Sequence, residues 1–278
     1  MEEPPMTQNT TTTTTQTTTL TYDQKEFANE LAEALQSKKP LLEDDWTNLV
    51  TDENSAYQVQ DVFTDLKDDS VGGYKVSLTS KQTQDMFDSN EPLYGAEMTN
   101  NFLKSTAVVS LKSLMEPLVE VELCFRAKED LLPTDSLEDL LEKTTVAPAL
   151  EVPDSRFSNW FPSLSKYMVM SDGAVSGLVV YGDEKDTKTL GSVETLANVS
   201  ATLFHDQENL KSGKSSEVLD NPLKSLQWLV KKLDSQGKRL LRGQRVSSGT
   251  FVLPPSLTKG TWRADFDNGL GSVNLQVN

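Results

Sequence analysis

The stretch Leu118-Val119-Glu120-Val121-Glu122-Leu123-Cys124-Phe125 constrains the fold more than any other part of the chain. On an extended strand, residues two apart share a face, so Glu120 and Glu122 project together from an otherwise apolar segment. Two carboxylates side by side in such a setting repel each other and lose hydration. Two arrangements resolve the conflict. The strand can lie on the solvent face of an antiparallel sheet, where water screens the pair. Alternatively, a divalent cation can remove both penalties. A third carboxylate, Glu151 in Pro148-Ala149-Leu150-Glu151-Val152-Pro153-Asp154-Ser155-Arg156, points to the second arrangement. All-oxygen ligands favour a hard ion such as Mg²⁺, Mn²⁺ or Ca²⁺ over zinc. The candidate is a three-glutamate metal site of Glu120, Glu122 and Glu151. Glu116 shares the parity of the pair, but Pro117 interrupts the strand between them.

Charge narrows the partners. The chain of 278 residues carries 26 Lys and Arg against 42 Asp and Glu, a net charge of -16. So acidic a surface repels phosphate backbones and anionic lipid, which argues against nucleic acid or membrane as partner and leaves room for a local basic pocket. No apolar run approaches the length of a membrane span, and the N-terminus lacks a basic region followed by an apolar core. Cys124 is the only cysteine, which excludes an intramolecular disulfide and suits a reducing cytoplasm. His205 is the only histidine and sits in a polar-flanked stretch, as a surface or packing residue. A Ser-His-Asp hydrolase and a histidine zinc site are therefore not expected.

Three regions follow along the chain. Residues 1–20 are threonine-rich and are expected to be a disordered tail. Residues 21–70 predict a helical segment. Asp23 and Glu26 mark one helix start, with Phe27, Leu31 and Leu35 at four-residue spacing. A second start near Asn54-Ser55 turns Val59, Val62, Phe63 and Leu66 inward. From residue 71 to 278 short strands dominate: Gly72–Thr79 with Lys75 opposite Tyr74, Val76 and Leu78; Leu114–Phe125; Ala147–Val152; Gly177–Gly182; and Val193–Phe204. A helix is predicted over 220–236, capped by Asp220 or Asn221, with Pro222 in its first turn, Gly237 beyond it, and Lys224, Lys231 and Lys232 facing solvent. Strands over 244–250, 262–266 and 272–277 close the chain, the last two joined by the turn Asp267-Asn268-Gly269. No helix regularly separates successive strands, so the fold class is α+β with a mixed sheet, not a Rossmann fold or βα barrel.

Four segments in order then resemble a known family: Gly73-Tyr74-Lys75-Val76-Ser77-Leu78-Thr79-Ser80, Glu91-Pro92-Leu93-Tyr94-Gly95, Glu116-Pro117-Leu118-Val119-Glu120-Val121-Glu122 and Ala149-Leu150-Glu151-Val152-Pro153-Asp154-Ser155-Arg156. They are similar to the fumarylacetoacetate hydrolase superfamily, in its 2-oxopent-4-enoate hydratase and 4-oxalocrotonate decarboxylase branch. Asn221-Pro222-Leu223, Ser248-Gly249-Thr250 and Gly271-Ser272-Val273 continue the family's order, so the resemblance covers about residues 25–278. It implies a mixed β-roll over residues 71–278, bound Mg²⁺ or Mn²⁺, a small anionic 2-oxo acid substrate, and a homo-oligomer or a complex with a related pathway enzyme. By residue match, Glu120, Glu122 and Glu151 become metal ligands and Lys75 the catalytic lysine. Lys75, Arg156, Ser176 and Thr250 become substrate-binding positions, with Arg156 also suited to a supporting salt bridge.

The implied activity is hydration of 2-hydroxypenta-2,4-dienoate-type acids through a metal-stabilised enolate. The alternatives are decarboxylation of a 4-oxalocrotonate-type acid and a non-catalytic partner subunit. The chain departs from the family at Leu93, at Gly173 and Val175, and at Asp220-Asn221-Pro222, where Gly-His-Pro is often seen. Hydratases commonly carry Asp where this chain has Leu93, and decarboxylases an apolar residue. Gly173 and Val175 stand where the family usually has an amide and a hydroxyl. No His-x-x-Glu pair of the carbon–carbon hydrolase branch is present.

Overall fold

The computed structural model describes residues 19–278; the tail expected over 1–20 falls, up to residue 18, outside the described residues. The helices are α1 (Tyr22–Ser37), α2 (Glu53–Asp65), α3 (Lys81–Met86), α4 (Leu137–Lys143), α5 (Lys166–Ser171), α6 (Val193–Leu196) and α7 (Pro222–Ser235). The first strands are β1 (Val71–Ser77), β2 (Leu93–Met98), β3 (Phe102–Lys104), β4 (Ala107–Val109), β5 (Glu120–Ala127), β6 (Thr144–Val152), β7 (Leu178–Tyr181) and β8 (Lys185–Asp186). They are followed by β9 (Ser200–His205), β10 (Glu208–Lys214), β11 (Arg245–Ser247), β12 (Gly260–Phe266) and β13 (Gly271–Val277).

The strands form two mixed sheets. One runs β2-β1-β11-β5-β6-β7-β3, with β8 also paired to β6, and curls into a half-barrel. The other runs β10-β9-β12-β13-β4 and packs through β12 and β13 against β6. This is the α+β architecture expected from strands that pair without intervening helices. On β5 the residues Val121, Leu123 and Phe125 enter the main core, so the alternation sends Glu120, Glu122 and Cys124 to the other face. That second face carries its own small apolar cluster of Cys124, Ala147, Ala149, Val179 and Tyr181.

Local chemistry sets the helix ends. Thr21 and Gln24 form a reciprocal capping box on α1, two residues ahead of the expected Asp23 start, and Phe27, Ala28, Leu31 and Ala34 are buried. The Asp52 side chain caps α2 by accepting from the Ser55 amide at 2.9 Å. Leu66, expected inward, lies just past the end of α2 and is 42% exposed. Asn221 caps α7, Pro222 opens it, and Gly237 adopts φ +73 beyond it. Lys232, expected to face solvent, ion-pairs with Glu53 at the start of α2 and with Glu91 just before β2.

Two expected strands are shorter than their apolar patterns suggest. Pro117 keeps Leu118 and Val119 out of the ladder: their amides bond singly to the carbonyls of Pro153 and Pro255, and regular pairing begins at Glu120. Ser192 and Thr195 form a capping box that winds Val193–Leu196 into α6, so that strand begins at Ser200. Among the described residues no helix is long and apolar enough to cross a membrane.

Candidate metal centre

The antiparallel register of β5 and β6 sets Glu120 directly opposite Glu151, with Glu122 two residues further along the same face. One carboxylate oxygen from each of the three lies within 4.8 Å of the others. Glu122 and Glu151 are buried and Glu120 is half-buried. Like charges facing each other across a strand pair are destabilising, so this juxtaposition needs compensation. Part of it comes from β11 and the loop behind it. Ser247 Oγ donates to Glu122 Oε2 at 2.6 Å, and the Gly249 amide donates to the same oxygen at 2.8 Å. Gly249 has φ +116, and a Cβ there would stand 2.2 Å from Thr79 Oγ1, so only glycine permits this approach.

Lys75 supplies the remaining positive charge. It lies on β1, is 1% exposed, and ion-pairs with Glu151. Glu151 Oε2 has no hydrogen-bond partner. Burial, then the Glu151 charge, pushes Glu120 up to about 8. Burial and the two neighbouring glutamates push Glu122 well above the usual carboxylate range, and burial outweighs the pull of Lys75 to raise Glu151. Burial acts to lower Lys75, but Glu151 and then Glu120 prevail and its pKa is raised. Once all three carboxylates are ionised, one ammonium leaves two negative charges without a counter-charge, which is why burial resists their ionisation. An all-oxygen, doubly negative, partly unbonded cluster fits a hard divalent ion.

A cavity of about 520 Å³ opens beside this cluster and is lined by Lys75, Glu120, Glu122 and Thr250, bringing together four of the residues singled out from sequence; Glu151 lies within ligand distance of the two glutamates. Arg156 and Ser176 are placed elsewhere. The Arg156 guanidinium pairs with Asp172 and donates to the carbonyl oxygens of Ser176 at 2.7 Å and Asp172 at 2.8 Å. Its charge and donors are thus directed into the protein interior, and the expected salt bridge is present. Ser176 Oγ accepts from Lys67 at 3.3 Å, and both Arg156 and Ser176 line a separate cavity of about 790 Å³. The structure thus brings these two residues together at a cavity other than the one beside the glutamates.

Other residues near the cluster escaped the sequence reading. Glu97 on β2 is fully buried and raises Glu151, while its own oxygens accept from the Gly177 amide at 3.0 Å and Asn101 Nδ2 at 2.8 Å. Ser247 had a usable signal, since it adjoins the Ser248-Gly249-Thr250 motif. Phe87 and Phe161 line the cavity although nothing in their local sequence marks them. Leu93 is 2% exposed and pairs with Ser77 on β1. His205 stacks on Trp262 with centroids 4.3 Å apart, in keeping with a packing role.

No protein-family model matches the chain. The chain is 31% identical over 230 residues to a 2-keto-4-pentenoate hydratase from Burkholderia vietnamiensis, covering 80% of this chain and 85% of that protein. It is 30% identical over 237 residues to the 2-oxo-hept-4-ene-1,7-dioate hydratase of Escherichia coli, again covering 80% and 85%. Among solved structures, 4-oxalocrotonate decarboxylase from Pseudomonas putida G7, complexed with magnesium and adipate, superposes with a TM-score of 0.84 at 23% identity, over 94% of this chain and 99% of that one. Relatedness over most of both sequences and agreement in fold place the chain in the 2-keto-4-pentenoate hydratase and 4-oxalocrotonate decarboxylase branch of the fumarylacetoacetate hydrolase superfamily, and it belongs to that family.

Proposed function

We propose that this chain is a divalent-metal-dependent lyase that hydrates 2-hydroxypenta-2,4-dienoate-type acids, the enol form of 2-oxo-4-pentenoate. The convergence of Glu120, Glu122 and Glu151 beside Lys75 in one cavity carries this reading. The names of the relatives support the reaction class. Glu120, Glu122 and Glu151 would hold Mg²⁺ or Mn²⁺, which when bound supplies Lewis acidity toward the carboxylate and keto oxygens of a 2-oxo acid.

The chain's own residues do the rest. Lys75 is the cation that meets the substrate carboxylate, and its ion pair with Glu151 fixes where that ammonium stands. Hydration requires the enol proton to move to carbon and water to add across the remaining double bond. Lys75 can hold and return a proton at the substrate, and Thr79 lines the same cavity, while the Thr250 hydroxyl donates to the Val252 carbonyl at 2.8 Å. Ser247 and the Gly249 amide keep Glu122 oriented through the cycle.

Loss of carbon dioxide from a 4-oxalocrotonate-type acid is the second reading, and Leu93 favours it: an apolar residue stands where hydratases carry Asp. Incubating the Mg²⁺-loaded protein separately with 2-hydroxypenta-2,4-dienoate and with 4-oxalocrotonate decides between them. Formation of 4-hydroxy-2-oxopentanoate supports hydration, and carbon dioxide release supports decarboxylation. A non-catalytic partner subunit has no physical reason to keep three clustered acids, and this third reading requires that Mn²⁺ not bind. A homo-oligomer, a complex with a related pathway enzyme, and a cytoplasmic setting for the free, buried Cys124 belong to the same proposal. Light scattering of the purified protein tests the first of these.

A further inference from the structure

The cavity beside the glutamates is chemically lopsided. Among the described residues, Lys75 is the one cation that lines it, and Glu151 already pairs with that ammonium. The other ionisable groups in its wall, Glu120 and Glu122, are acidic. Away from them the wall is neutral: Leu78, Phe87, Trp160, Phe161, Val169 and Val175 supply its apolar part, and the hydroxyl-bearing residues Ser77, Thr79, Thr83 and Thr250 its polar part. Phe161 packs between Phe87 and Trp160, with ring centroids 6.4 Å and 5.5 Å apart, so the aromatic part is continuous.

Val175 occupies its place at a conformational cost. Gly173, Ala174 and Val175 have φ values of +67, +53 and +54, three successive residues in the left-handed region. Glycine adopts that region freely, whereas a β-branched side chain there is a genuine outlier. The surroundings hold it there. The Val175 carbonyl accepts from the Asp154 amide at 2.9 Å, and the Asp154 carboxylate is itself anchored by the amides of Met115 and Glu116. On the other side, Gly95 approaches so closely that a Cβ on it would stand 1.8 Å from the Gly173 carbonyl oxygen. Strain maintained this firmly in a cavity wall is of the kind found at ligand clamps. Its result is a branched apolar group at a position that could have presented a polar one.

We propose that this cavity selects 2-oxo acids with a single carboxylate and a neutral, apolar tail, and that Val175 is a specificity-determining residue for that preference. The proposal rests on the metal-dependent 2-oxo acid reading above. The first carboxylate and the keto group lie toward Lys75 and the glutamates. A second carboxylate at the far end would face aromatic and aliphatic carbon and at most the neutral side chain of Thr83, with no cation to meet it. An ionised group left unpaired in that way is penalised heavily, whereas an added methyl group is accommodated.

The test compares kcat/KM of the Mn²⁺-loaded protein on 2-hydroxypenta-2,4-dienoate, 2-hydroxyhexa-2,4-dienoate and the diacid 2-oxohept-4-ene-1,7-dioate, with wild type and with Val175→Asn and Val175→Lys. The expected result is that wild type turns over both monoacids at least about 100-fold more efficiently than the diacid. Val175→Lys should narrow that ratio about tenfold, chiefly through a lower KM for the diacid, and Val175→Asn should narrow it less. A wild-type diacid efficiency equal to that of the monoacids overturns the proposal, as does carbon dioxide release from 4-oxalocrotonate at a comparable rate. A ratio that both folded variants leave unmoved overturns the role of Val175. If no acid is turned over and Mn²⁺ produces no bound-ion signal in electron paramagnetic resonance, the underlying reading fails and the proposal fails with it. Activity with the wrong preference fails the proposal alone.

Discussion

Glu120 faces Glu151 across the β5–β6 pair, so the strand register itself brings two like charges together. A fold that tolerates this arrangement depends on what neutralises it, and four predictions follow that chemistry.

Replacing Glu122 or Glu151 by Gln should weaken Mn²⁺ binding by about 100-fold or more, since each removes one of three charged oxygen donors. Without metal, Glu151→Gln strips the buried Lys75 of its ion-pair partner and should destabilise the fold, whereas Glu122→Gln only relieves repulsion in a buried site and should stabilise it. An increase of roughly 3 °C in Tm is expected for Glu122→Gln in chelator, from about 1 kcal/mol of relief. Isothermal titration and thermal melts measure the two effects. Unchanged Mn²⁺ affinity in both variants would remove the metal site.

The metal-free protein should lose stability as pH rises. Glu120 titrates at about 8 in the folded chain against 4.5 ordinarily, so between those values the folded state holds more protons than the unfolded one. Stability then falls with increasing pH through this window, with the contribution fully present below about 4.5 and lost above about 8. Saturating Mn²⁺ should flatten the dependence and release protons on binding. Urea unfolding from pH 5 to 9, with chelator and with metal, checks the sign. Stability that rises with pH in chelator contradicts it.

Lys75→Met should separate binding of metal from turnover. Removing the ammonium frees Glu151 from its ion pair, so Mn²⁺ affinity should hold or rise severalfold. The kcat for 2-hydroxypenta-2,4-dienoate should fall by about 100-fold or more, in the range of a lost acid–base group. A variant that loses Mn²⁺ and activity together would make Lys75 a structural support for the glutamates.

Arg156 should behave as a structural residue. Asp172→Asn or Arg156→Met leaves one member of a buried ion pair uncompensated and should cost about 3–5 kcal/mol of stability. In the fraction that remains folded, Mn²⁺ affinity and the KM for a monoacid should stay within about twofold, because Arg156 lines a different cavity. A KM rise of tenfold or more with unchanged melting would return Arg156 to the substrate.

Alternation and punctuation made much of the architecture readable from sequence. The Asn221-Pro222 start and Gly237 stop of α7 have local causes, as do the Asp267-Asn268-Gly269 turn and the shared face of Glu120 and Glu122. Their agreement across levels is what a foldable sequence should show. What escaped depends on distant partners. Nothing around Leu66 indicates that α2 ends one residue earlier, and nothing around Lys232 announces Glu53 and Glu91. Lys75 by itself resembles an ordinary strand lysine, and only pairing with β11 and β2 buries it. The family resemblance offers Arg156 both to the substrate and to a supporting salt bridge, and only the fold shows its side chain turned to Asp172.

The apolar layer of Cys124, Ala147, Ala149, Val179 and Tyr181 lies on the same face as the glutamates, further down the half-barrel. The layer itself offers a charged acid no counter-charge, so reactant and product are both expected to pass through the cavity beside Lys75 and Thr250. Turnover is then a matter of vacating before refilling, and a released hydroxy acid at high concentration should compete directly with the next arrival.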